Sequence, residues 1–270
     1  MIKSSQLELD IFSVVRVITA ASESPAVRQH PLLLKPISFR WSGPAVFENG
    51  NAKAKLAENL AALRLLRELQ LEDRMASAAE QAPLARYNGW GGLALVFEPE
   101  PREWRAEAEE LKLLLAPADY NSARASVMSA FYTPHDVCRL MYEGLQRLGF
   151  RGGKVLEPAT GTGIFLASQP PEWRCDWAAI ELDRVSGRIL HQLQPEAGVQ
   201  ISGLEAATLS DGAYDLVVGN VPFADYPIHD RRLGNPLVHD YFLLRSVELV
   251  RPGGLVAVCI FRRWWDTHSD

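Results

Sequence analysis

From Lys154 to Ile260 the chain alternates short apolar runs with helix-patterned segments, and this alternation constrains the fold more than any other feature. The runs lie near Lys154–Glu157, Ala178–Leu182, Val199–Ser202, Leu216–Asn220 and Leu255–Ile260. After the second, Val185, Ile189 and Leu193 recur on one helical face, and the spacing predicts a last helix near Pro236–Val250. Strand and helix in turn predict an α/β fold, a Rossmann-like parallel sheet with helices on both faces. Ligands of such sheets sit beyond the carboxyl ends of the strands, where strand order reverses. The glycine turn after the first run, Glu181 after the second, Glu205 after the third and Asn220 after the fourth all fall on that edge.

The first run leads into Glu157-Pro158-Ala159-Thr160-Gly161-Thr162-Gly163. Glycines here permit positive φ and close approach of backbone to a ligand. The third glycine of the dinucleotide fingerprint is absent, its place taken by Leu166. That absence and the Glu-Pro start favour S-adenosylmethionine, which has no pyrophosphate for a helix N-terminus to hold. Glu181 stands roughly 20 residues past the glycines, where a carboxylate can accept from ribose hydroxyls. A solvated strand end is the competing reading. Asp183 is placed to cap the next helix.

The fourth run ends in Asn220-Val221-Pro222-Phe223. An Asn side-chain oxygen and the Pro222 carbonyl can both accept from an exocyclic amine, and an aromatic ring can stack on the base that carries it. An enzyme acting on a base inside a duplex must extrude it into such a pocket. Asn and Pro are also ordinary turn residues, so a strand ending in a turn is the alternative.

Taken together, Glu157-Pro158-x-x-Gly161-x-Gly163 and Asn220-x-Pro222-Phe223 resemble the adenine-N6 DNA methyltransferases. Phe131-Tyr132-Thr133-Pro134 is similar to the Tyr-Thr-Pro segment that precedes the glycine motif in one group of them. Tyr87-Asn88-Gly89-Trp90-Gly91-Gly92-Leu93 resembles a narrower subgroup, the very large methylase–helicase proteins of phages, plasmids and conjugative elements. The resemblance implies S-adenosylmethionine as cofactor. It puts Thr133 and Pro134 near the methionine end, Glu157 on the ammonium, Pro158, Gly161 and Gly163 in the cofactor loop, Glu181 on the ribose and Glu205 near the adenine ring. Asn220, Pro222 and Phe223 would hold the target base. Val221 departs from the usual second proline, as the narrower subgroup also does. DNA is the implied partner, read through a recognition region and a helicase that would follow the catalytic core. A methyltransferase of the same fold acting on RNA or a protein amide, and an inactive cofactor-binding remnant, are the alternatives.

Four regions are expected: residues 1–48 of uncertain structure, a helical preface 49–150 carrying the Gly-Trp-Gly-Gly loop and the Tyr-Thr-Pro segment, the core 151–260, and a tail 261–270 unlike the family. That tail reads as a C-terminal truncation, leaving an incomplete sheet of about five strands. In the preface, Leu56, Leu60, Leu63 and Leu66 predict a helix to about Glu72 after a cap near Asn51. Further helices are predicted over Glu103–Leu115 and Asp119–Ala130. Another would start with Thr133 as N-cap and Pro134 in the first position, with Val137, Leu140, Met141, Gly144, Leu145 and Leu148 as its apolar face. The Gly-Trp-Gly-Gly loop either covers the cofactor pocket or packs the preface on the core.

The net charge of −5 provides no global basic field for DNA. Cys138, Cys175 and Cys259 have no metal spacing, and no metal site is expected. Neither a membrane span nor a secretion signal is readable, which points to the cytoplasm. His191, His229 and His239 read as surface or loop residues. The loop Tyr226–Asn235, with Arg231 and Arg232, either touches a phosphate or is merely solvated.

Overall fold

The computed structural model describes residues 37–41, 51–98, 102–128, 132–223 and 226–260. All belong to one compact unit, Pro36–Asp270. The expectations for residues 1–36 and for the tail 261–270 fall outside the described residues.

Among the described residues, five parallel strands form one sheet: β1 (Gly152–Glu157), β2 (Arg174–Glu181), β3 (Gly198–Ile201), β4 (Tyr214–Asn220) and β5 (Val250–Cys259). Their order is β3-β2-β1-β4-β5. The chain therefore begins in the middle, moves outward to β3, then crosses back to the other side of β1. The reversal lies between β1 and β4, so the expected α/β Rossmann-like sheet and its switch point are both present.

The helices are α1 (Ala52–Leu71), α2 (Ala78–Ala85), α3 (Arg105–Leu114), α4 (Pro117–Ala125), α5 (His135–Arg147), α6 (Ile164–Ser168), α7 (Arg184–Leu193) and α8 (Val238–Leu249). Among the described residues, no helix is long and apolar enough to cross a membrane. Side chains of a strand alternate between faces, and the core follows that rule. Val155, Leu216 and Val218 face a cluster with Cys138, Tyr142 and Leu145 of α5 and Phe165 of α6. Leu156 and Val217 face the opposite cluster, with Tyr241 and Phe242 of α8. Each such fully buried side chain contributes about 1.5–3 kcal/mol.

The preface shares a third cluster with the sheet layer. Leu56, Leu60, Leu63 and Leu66 of α1 pack with Leu84 of α2, Tyr87, Trp90 and Leu93, and with Val185, Ile189 and Leu193 of α7. The Gly-Trp-Gly-Gly loop is thus part of the packing between preface and core, and its Gly89 and Trp90 also line the candidate cavity, so both expectations for it hold. Asn51 caps α1, its side chain accepting from the Ala54 N–H at 2.9 Å. Residues 37–41 lie across helix ends: Phe39 N–H donates to the Leu193 carbonyl, and Trp41 N–H to that of Ala167. The Arg40 guanidinium donates to the Leu166 carbonyl. Terminal carbonyls of α6 and α7 that would lack partners are satisfied this way.

Several local expectations are corrected. Pro134, not Thr133, is the N-cap of α5: its ψ of 143° is extended, so the helix begins at His135. The buried face of α5 is Cys138, Tyr142 and Leu145, while Leu140 and Leu148 are 59% and 72% exposed. The aromatic pocket formed by Phe165 and Trp173 receives Tyr142, and this rotates the helix relative to the simplest hydrophobic count. The helix expected over Asp119–Ala130 starts at Pro117 and tightens to a 3-10 turn at Ser126–Met128. Helix α2 was not anticipated. It carries Pro83 in its interior, and its start is held by Glu80, whose carboxylate accepts from the Ser77 N–H.

Candidate active site

A cavity of about 450 Å³ opens beyond the carboxyl ends of β1, β2 and β4, at the switch point. Glu157 ends β1, Glu181 ends β2, Glu205 follows β3, and Asn220 ends β4. All four line the cavity, together with Thr133, Pro158, Gly161, Pro222 and Phe223. The described lining residues include four carboxylates, the fourth being Asp183, and no Lys, Arg or His.

Glu157 is 1% exposed, and its Oε2 has no hydrogen-bond partner. Burial, and then the nearby Glu181 carboxylate, push its carboxyl well above the usual range. A buried acceptor without a donor is costly, so the site suits a cationic ligand able to donate to it. Thr160 closes the turn behind it, its single hydroxyl proton shared between the Glu157 and Ile180 carbonyls at 2.9 and 3.1 Å.

Both Glu181 oxygens accept backbone N–H groups, Oε2 from Gly161 and Oε1 from Asp183, each at 2.6 Å. Burial pushes this carboxyl up to about 7 against the pull of those bonds. Asp183 caps α7 as expected, accepting from the Ser186 N–H at 2.8 Å. Gly161 adopts φ +59°, a left-handed conformation that favours glycine.

Asn220 and Phe223 are half-buried at the cavity wall, whereas Val221 is 1% exposed and packs with Leu156, Val217 and Tyr241. Position 221 is therefore a core position on the cavity rim, which an apolar side chain fills. Glu205 is exposed, its carboxylate folded back over Gly203. Two expected residues stand off the cavity. Pro134 does not line it. Gly163 borders only a small void of about 20 Å³. At φ +89°, a Cβ on Gly163 would lie 2.6 Å from Leu190, so its glycine serves the packing of α7.

The loop Tyr226–Asn235 is ordered by the Pro227–Leu237 bridge and by the Ile228 N–H bond to the Pro236 carbonyl. Arg232 is paired with Glu248 at 2.6 Å, and Arg231 is exposed beside it. His191 and His229 are exposed, and His239 lies on α8 beside Asp240. Tyr132, Ser186 and Tyr226 line the cavity beyond the expected residues, and Gly219 stands behind it against Glu157. Gly219 carried a signal: a glycine inside a strand often marks a close approach. Tyr226 is 51% exposed at the cavity.

No family model matches the chain. Defense against restriction protein B of Escherichia phage P1 is 33% identical over 159 residues. That alignment covers 56% of this chain, and the chain spans 7% of the length of that relative. Among solved structures, a Listeria monocytogenes protein described as a candidate class I S-adenosylmethionine-dependent methyltransferase is similar with TM-score 0.46 and 15% identity, over 79% of this chain and 76% of that chain. A Pyrococcus horikoshii protein described as a candidate RNA methyltransferase is similar with TM-score 0.39 and 17% identity, over 51% and 66%. The solved structures carry no argument about the substrate of this chain.

Proposed function

We propose that the cavity binds S-adenosylmethionine and that the chain methylates the exocyclic N6 amine of adenine in DNA. The observation that carries this reading is the meeting, at one switch point, of the unpartnered buried Glu157 carboxylate with Asn220, Pro222 and Phe223. The name of the phage relative, which sets it against restriction, supports DNA as the target class.

The residues present fit the cofactor. Glu157 would take the ammonium, Glu181 the ribose hydroxyls through its remaining lone pairs, and Gly161 and Pro158 the turn beside them. Thr133 would contact the methionine end, and Glu205 the adenine ring. The acidic, cation-free lining suits a ligand of positive charge. When bound, S-adenosylmethionine supplies an electrophilic methyl group on a sulfonium sulfur. Asn220 and the Pro222 carbonyl accept from the target amine, which raises electron density on its nitrogen. Phe223 stacks on the base and holds it in plane. No general base is required, since the amine loses its proton after the methyl arrives. Reading of a target sequence and any helicase are assigned to other regions of the larger proteins that this chain resembles.

The test is transfer of radiolabelled methyl from S-adenosylmethionine to DNA, RNA and protein, beside a calorimetric cofactor titration. Transfer to DNA that Asn220→Ala abolishes is the expected result. Transfer to RNA or protein alone would overturn the DNA assignment. Cofactor binding without any transfer would mark a non-catalytic remnant.

A further inference from the structure

We propose that Asn59, on α1, is a positioning residue for the cofactor side of the cavity, acting through Gly89 and the Tyr132 ring on Gly161 and Glu181. The inference rests on the cofactor reading above. Asn59 is fully buried and does not line the cavity. Its Nδ2 donates to the Gly89 carbonyl at 2.8 Å, and its Oδ1 accepts from the Asn88 N–H at 3.0 Å. Both halves of the amide are thus spent on holding the backbone of the Gly-Trp-Gly-Gly loop.

That loop presses on Tyr132. Gly89 has φ +68°, and a Cβ there would collide with Tyr132 Cε2. The opposite ring edge faces the cofactor turn: a Cβ on Gly161 would lie 3.1 Å from Tyr132 Cε1. One ring therefore fills the gap between two glycines 72 positions apart in sequence.

From the ring, a hydrogen-bonded circuit returns to the same turn. The Ser186 hydroxyl donates to Asp183 Oδ2 at 2.7 Å. Its single proton is then used, so the Tyr132 hydroxyl is the donor in the 2.9 Å bond to Ser186 Oγ. The Asp183 N–H donates to Glu181 Oε1, and the Gly161 N–H to Glu181 Oε2. Tyr132 thus fills the space a Gly161 side chain would take and is linked to Glu181 through Ser186 and Asp183. Displacing the ring shifts the turn and the acid together, and buried polar circuits lose much when one member moves.

The experiment compares Gly89→Ala with Gly92→Ala in the full chain. Gly92 lies in the same loop at φ +76°, but a Cβ there meets nothing within 4 Å. Both variants carry the strain of a left-handed alanine, and only Gly89→Ala meets Tyr132. The readouts are hydrogen exchange at the Gly161 amide, which needs no cofactor, and S-adenosylmethionine affinity. Gly89→Ala and Asn59→Ala should each speed Gly161 exchange and weaken cofactor binding about tenfold, the scale of one lost hydrogen bond. Gly92→Ala should do neither, beyond a loss of thermal stability. In a Tyr132→Leu background, Gly89→Ala should have no further effect on Gly161 exchange. Should Gly89→Ala not fold, Tyr132→Phe keeps the ring, removes only the donor to Ser186, and should still speed Gly161 exchange. Equal Gly161 exchange in Gly89→Ala and Gly92→Ala, or wild-type exchange in Asn59→Ala or Tyr132→Phe, overturns the proposal. A wild-type chain that binds no S-adenosylmethionine refutes the cofactor reading, while the exchange comparison still decides the circuit.

Discussion

Glu157 and Gly219 lie side by side across the switch point: a Cβ at Gly219 would stand 3.3 Å from Glu157 Cγ. The glycine lets the buried carboxyl cross from β1 toward β4, one residue before Asn220. Gly219→Ala must push that side chain or its strand. The expected cost is about 1–3 kcal/mol of stability, with a further loss of S-adenosylmethionine affinity. Thermal unfolding and calorimetry measure the two, and full affinity in a folded variant would remove Glu157 from the cofactor site.

Binding of the cofactor ammonium should release a proton from Glu157. The ligand-free carboxyl is raised well above its ordinary value by burial and by Glu181, so it keeps its proton to higher pH than an ordinary carboxyl does. A cationic partner favours the ionised form. Affinity should therefore rise with pH until the free carboxyl is itself ionised. Calorimetry in two buffers of different ionisation heat reads the released proton directly. In Glu157→Gln the release should vanish and affinity should fall, with stability of the ligand-free chain unchanged or higher.

Glu181 should make the ligand-free chain lose stability as pH rises. Its folded value is about 7 against an ordinary 4.5. Between those values the folded chain binds a proton that the unfolded chain has lost, so stability falls across that window. The full difference is on the order of 3 kcal/mol at the upper end. Unfolding in denaturant from about pH 4.5 to about pH 7.5 should show a slope that Glu181→Gln flattens. An identical slope in the variant would mean that the group titrates normally.

Asn220→Ala should nearly abolish methyl transfer while sparing cofactor affinity, since the proposed reading puts Asn220 on the target base and not on the cofactor. Phe223→Ala should cost less rate than Phe223→Asp: both lose stacking, worth about 1–3 kcal/mol per base, and only the second adds charge. Transfer rates beside cofactor titrations check both. Near-normal turnover in Asn220→Ala defeats the flipped-base reading.

Local patterns in the sequence were enough for the five strands, for Asn51 and Asp183 as caps, and for Glu157, Glu181, Glu205 and Asn220 on one edge. These depend on periods of two or four residues and on turn chemistry, which neighbours in the chain encode. Tertiary packing decided the rest. The face of α5 turned to Cys138, Tyr142 and Leu145 because distant aromatic rings receive Tyr142. Gly163 proved to serve Leu190 of α7, and Tyr132 came to rest between Gly89 and Gly161. Contacts between segments so far apart depend on how three packed layers meet, and no spacing along the chain records that.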